Sequence, residues 1–118
     1  MIIEATIYEY LNSVLDVPAY TERPNGSSVP FVLFEKTGSS KHNGVITCMV
    51  AFQSVSDSMY NAALLNERVK EAVEDMPNHT EISGTHLNSD YNFSNLNTNE
   101  YRYQAVFNIT YVNGGLNG

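Results

Sequence analysis

The sequence predicts an α+β fold, an antiparallel (mixed) β-sheet with two α-helices packed on one face, from three observations. Between Asp57 and Met76, the apolar residues Ala62, Leu65, Val69, Ala72, Val73 and Met76 recur at helical spacing. Asn61, Asn66, Glu67, Lys70, Glu71, Glu74 and Asp75 fill the other side, which describes an amphipathic helix with one buried stripe. From Tyr101 to Val112, Tyr101, Tyr103, Ala105, Phe107, Ile109 and Tyr111 alternate with Arg102, Gln104, Val106, Asn108, Thr110 and Val112, the period of a strand with one covered and one wet face. Val45 to Val55 is apolar on both faces, as a central strand is. Helices segregated to a single face of an antiparallel sheet satisfy all three patterns.

Taken in order, Ile3, Ile7, Tyr10, Leu11 and Val14 define one face of a short first helix, with Glu4, Glu9 and Asn12 opposite. Asp16 and Pro18 end it, and Val17 to Thr21 is extended because a residue before Pro is pushed towards the β region. Arg23 to Ser28 reads as a turn or loop closed by Pro30. Phe31 to Lys36 is a strand, and Thr37 to Gly44 is the polar tip of a long hairpin connection leading into the central strand. Ser56 or Asp57 caps the second helix, and Pro77 stops it. Thr80 to Leu87 is a weak strand with Ser83 and Gly84 marking a bulge. Asn88 to Asn99 is read as a long Asn-rich loop carrying Tyr91, Phe93 and Leu96. One domain spans residues 1–112, and the Gly-rich residues 113–118 form a mobile tail.

Composition narrows the function classes. Hydrophobic residues make up 42% of the 118 and charged ones only 16%, which excludes a charge-driven disordered chain. A formal charge of −7 leaves no basic field for gripping a phosphate backbone. Cys48 is the sole cysteine and sits in an apolar run, so it reads as a small buried thiol. MIIEATIYEYL lacks the basic start and long apolar core of a signal peptide, and no run reaches membrane-spanning length, so the expected location before any assembly is a cytoplasm. The four N-x-[ST] sites then reflect an Asn-rich composition.

Chemistry is sparse. His42 sits at the hairpin tip without a companion, and His79 and His86 bracket Glu81 at a spacing unlike a zinc site. No phosphate-cradling glycine loop and no nucleophile elbow are present. No catalytic, metal or cofactor residues are therefore assigned. The acidic face of Glu67, Glu71, Glu74 and Asp75 is either simply solvated or a surface for a basic partner. Tyr91 and Phe93 suit core packing and interface contact equally.

Across nearly the whole chain, the order of landmarks resembles the small tail-completion or tail-terminator proteins of long-tailed bacteriophages, including tail-to-head joining proteins. The resemblance rests on the N-terminal helix, VPAYTERPNGSSVPFVLFEKTG, FQSVSDSMYNAALLNERVKEAV and NEYRYQAVFNITYVN. Val17 and Pro18 stand before the strand and variable hairpin, Ser54 to Asp57 before the central helix, and Arg102 and Tyr103 open the last strand. The resemblance implies a virion protein at the head-proximal end of the tail, a six-membered ring that caps the tail tube, stops its growth and meets a head-completion protein. Its partners would be further copies of itself, the major tail tube protein and the head connector, with DNA only passing through the lumen. Ser39, Ser40, Lys41, His42, Asn43, Tyr91, Phe93 and Leu96 are the candidate interface residues, because they lie on the hairpin tip and the long loop. Two rivals fit the same sequence: another neck or head-closure protein, and a small dimeric α+β protein that binds a ligand between sheet and helix.

Overall fold

The computed structural model describes residues 2–94 and 100–112. Helix α1, Ile3–Val14, leads through a two-residue strand β1, Ala19–Tyr20, to two 12-residue strands, β2 (Phe31–His42) and β3 (Val45–Ser56). Helix α2, Met59–Asp75, and a 3-10 turn, Met76–Asn78, precede β4 (Gly84–Asn92) and β5 (Tyr101–Val112). The five strands form one mixed sheet in the order β1-β2-β3-β5-β4, antiparallel except where β1 runs parallel to β2. As the sequence pattern requires, β3 is central.

Both helices lie against the same face of this sheet. Ile7 and Leu11 of α1 and Leu65, Val69 and Val73 of α2 share one buried cluster with Val32, Phe34, Cys48, Val50, Phe52, Ala105, Phe107 and Ile109. The register explains why these strand residues meet, since Cys48 pairs with Ile109, Val50 with Phe107 and Phe52 with Ala105, placing all six on one side. The rings of Phe34 and Phe52 stack at 6.1 Å, and Phe107 meets Phe52 edge-on at 5.9 Å. Cys48 is buried as expected, and burial pushes its thiol pKa up, which keeps it protonated and unreactive.

Several boundaries differ from the sequence reading. The hairpin connection is not Thr37 to Gly44: β2 continues to His42, and the turn is only Asn43 and Gly44. Both adopt left-handed backbone, with φ of 52° and 81°, as a two-residue type I′ turn demands. The Asn-Gly pair was the available signal, and polarity obscured it. Likewise β4 occupies Gly84–Asn92 instead of Thr80 to Leu87, so the expected loop is strand from Asn88 to Asn92, and the register shifts between Leu87 and Ser89 instead of at Ser83 and Gly84. The cap of α2 is neither Ser56 nor Asp57 but Ser58, whose hydroxyl accepts from the Asn61 N–H at 3.1 Å. Val14 is 50% exposed and leaves the apolar face of α1. Residues 95–99, with Leu96, and the tail 113–118 lie outside the described residues.

Two side chains placed on solvent faces by periodicity hold the layers together instead. The Asn12 amide pairs with Ala19 like a strand, accepting from its N–H and donating to its carbonyl, each at 3.0 Å, and so locks β1 to α1. Asn66 is buried and donates to Asp90 Oδ1 at 2.7 Å, while Lys70 reaches Asp90 Oδ2 at 2.6 Å. The longer β4 brings Asp90 beneath the helix, which no helical pattern could reveal.

Candidate assembly surface

The face of the sheet away from the helices is organised quite differently. At its lower end, Phe31, Ala51, Val55 and Val106 are buried, and the Arg23 guanidinium stands 4.7 Å above the Phe31 ring centroid. Arg23 also pairs with Glu100 at 2.7 Å, so the segment before β2 is folded over this end.

From there a hydrogen-bonded chain crosses the sheet. Arg102 contacts Glu100 at 3.4 Å and donates to Gln53 Oε1 at 3.0 Å. Gln53 donates to Gln104 Oε1 at 3.0 Å, and Gln104 donates to the Tyr91 hydroxyl. Strand register makes this possible, because Gln53 faces Gln104 across the β3–β5 pair and Tyr91 faces Gln104 across the β4–β5 pair. The side chains are thereby held in one arrangement before any partner arrives. Tyr91 in turn meets Phe93 edge-on at 6.0 Å, and the two remain 41% and 47% exposed. Tyr91 is thus a strand residue, not a loop residue, and the packing it makes is with Phe93 on the surface.

Towards the hairpin end this face bears Val45, Met49 and Val112, all exposed, among Thr47, Asn108 and Thr110. Strands β3 and β5 contain no carboxylate, and Arg102 is their single charge. Charge depletion with exposed Tyr, Phe and Met is the composition of protein–protein contact cores. Ser39, Ser40, Lys41, His42 and Asn43 are all exposed along the end of the β2–β3 ribbon, far from Tyr91 and Phe93 in the sheet register. The candidate residues therefore form two separate patches, a ribbon end and an aromatic edge, joined by a sheet face on which β3 and β5 carry only the charge of Arg102 and β2 that of Glu35.

The histidines offer little chemistry. His79 Nε2 lies 2.7 Å from Asp75 Oδ2, and its ring stacks on Tyr10 at 6.1 Å. Hydrogen bonds from Asn78 and then His79 hold the Asp75 carboxyl below its usual pKa. Among the described residues no group of three or more His, Cys, Asp or Glu side chains is placed to hold a metal ion, and no helix is long and apolar enough to cross a membrane. No known family model matches the chain, and no curated protein matches its sequence.

Proposed function

We propose that this protein is a structural assembly subunit of the tail-terminator kind, one that forms a ring, caps a tail tube and offers a surface to the head connector. The observation that carries the reading is the open sheet face, uncharged across β3 and β5 except for Arg102, pre-ordered by the Tyr91–Gln104–Gln53–Arg102 chain and bordered by exposed Met49, Tyr91 and Phe93. Such a face favours a protein partner over water, and its polar atoms are already fixed. The function would be binding, with no bond made or broken.

The space between sheet and helices bears on the rival ligand-binding reading. Phe34, Phe52, Phe107, Leu65 and Val69 fill it, each at most 2% exposed, and the larger grooves lie on the outer surface. Native mass spectrometry over a range of protein concentrations, with negative-stain images of the same samples alone and mixed with tail tubes, tests the proposal. Closed rings, free or on tube ends, are expected. A chain that stays monomeric at every concentration and ignores tubes would overturn it.

A further inference from the structure

The six cations of the chain are not employed alike. Arg23, Lys36, Arg68, Lys70 and Arg102 each lie within 4 Å of a carboxylate. Lys41 makes no ion pair among the described residues, and the run from Lys36 to Ser56 that surrounds it contains no carboxylate. The end of the β2–β3 ribbon is therefore a cationic point on a chain of net charge −7.

The helix layer has the opposite imbalance. Glu9, Glu71, Glu74 and Glu81 are exposed and make no ion pair among the described residues. Glu9 and Glu81 border a groove of about 490 Å³ between α1 and the segment after α2, with Tyr10, Val14 and His79 in its walls. A neighbouring groove of about 400 Å³ shares Tyr10 and Val14 and adds Glu71, Asp75 and the Arg68–Asp16 pair, so it too is acidic on balance. Val14, half-exposed, and the Tyr10 ring give the grooves an apolar wall beneath unneutralised carboxylates.

We propose that the ribbon end of one copy, led by Lys41, docks in the α1 groove of a second copy between Glu9 and Glu81. This inference rests on the ring-forming reading and names its two patches. Two copies of so acidic a chain repel each other in most orientations, and the approach of cationic ribbon end to acidic groove is the one that charge favours. Because the two patches differ, the contact is head-to-tail and can repeat around a closed ring. Lys41 gains a carboxylate partner, and the ribbon gains the apolar wall of Val14 and Tyr10.

The test compares association constants, by analytical ultracentrifugation at low and high salt, for the unaltered chain, Lys41→Glu, the double change Glu9→Lys with Glu81→Lys, and all three together. Lys41→Glu and the double change should each weaken association about tenfold with an unchanged thermal melt, since every altered residue is exposed. Their combination should restore most of the loss, and added salt should weaken only the unaltered and restored chains appreciably. Rings that form equally well with Lys41→Glu, or a combination that restores nothing, would overturn the docking while leaving the ring reading intact. A charge-sensitive closed dimer would keep the docking and remove the ring. An unaltered chain that never associates would remove both. Should the double change spare self-association yet abolish binding to tail tubes, the groove belongs to the tube protein and the docking is overturned.

Discussion

On the helix side of the sheet, Phe52 sits between Phe34 and Phe107 under α2; one residue later in the same strand, Gln53 faces the open side and bonds to Gln104 and Arg102. The first face is closed by apolar contact and carries its charge on the outer surface of the helices. The second is held by side-chain hydrogen bonds, and its few charges include Arg102, the exposed Glu35 and the Arg23–Glu100 pair at one end. One strand thus serves stability and presentation at once, because its two faces alternate residue by residue. The helix side answers the demand for a buried core, and the open side is ordered while only its Phe31 end is covered.

Neighbouring substitutions should separate the two roles. Phe52→Ala removes a fully buried ring and is expected to cost about 3–5 kcal/mol in urea unfolding. A smaller loss would mean that the helix layer collapses into the gap. Gly44→Ala places a Cβ on left-handed backbone with φ of 81°, at a cost of about 1–2 kcal/mol; nothing lies within 4 Å of that Cβ, so backbone conformation alone is being measured. Gln53→Ala should cost only about 0.5–1.5 kcal/mol, yet loosen Tyr91 and Arg102 together, visible as broadened side-chain NMR signals for both. Tyr91→Ser with Met49→Ser should cost about 0.5–1.5 kcal/mol, for the lost Gln104 bond and Phe93 contact, and impair assembly far more. A large loss of folding stability would place both side chains with the core and break the contrast.

The smallest effect concerns the end of α2. Asp75 has a folded pKa below its ordinary 3.8, because Asn78 and then His79 bond its carboxylate. In the window between those two values the unfolded chain binds more protons than the folded one, so stability rises with pH there. The contribution is present above the ordinary value and lost as pH falls through the lowered one. Acid titration of Asp75→Asn, followed by circular dichroism, should show a slightly shallower loss below pH ~4.

Much of the fold was legible because its signals are periodic. The core stripe of α2 and the alternation of β5 depend only on which residues are apolar, and Leu65, Val69, Val73, Met76, Ala105, Phe107, Ile109 and Tyr111 appear in the buried cluster as read, whereas Tyr101 and Tyr103 stay half-buried outside it and Val106 of the other face is buried. What stayed hidden depends on partners distant in sequence. Asn66 and Lys70 read as helix-surface polar residues until Asp90 arrives from β4, and Asn12 reads as solvated until its amide meets Ala19. The extent of β2 and β4 was missed for another reason. Ser, Asn and Gly in strands at the sheet edge make the same composition as a loop, and only the pairing of Ser39 with Cys48 or Tyr91 with Gln104 distinguishes them. Of the proposed surface, Tyr91 and Phe93 were legible as candidates, but their exposure was left open between core and interface, and the chain linking Tyr91 to Arg102 required the register.

The two-residue turn at Asn43 and Gly44 has a consequence for how such a chain could change over time. The turn itself has no slack, and Thr37 already stands unmatched where the register shifts between Lys36 and Gly38, so matched additions to both strands are the way to lengthen the ribbon without a second bulge. One residue added to each strand extends it by roughly 3.4 Å and inverts the tip, presenting Lys41 to the opposite side. Two added to each extend it by roughly 7 Å and restore the orientation. The ribbon thus behaves as a ruler with discrete settings, so that even-numbered matched insertions move its tip outward in the same orientation while the packed layer beneath the helices is left untouched.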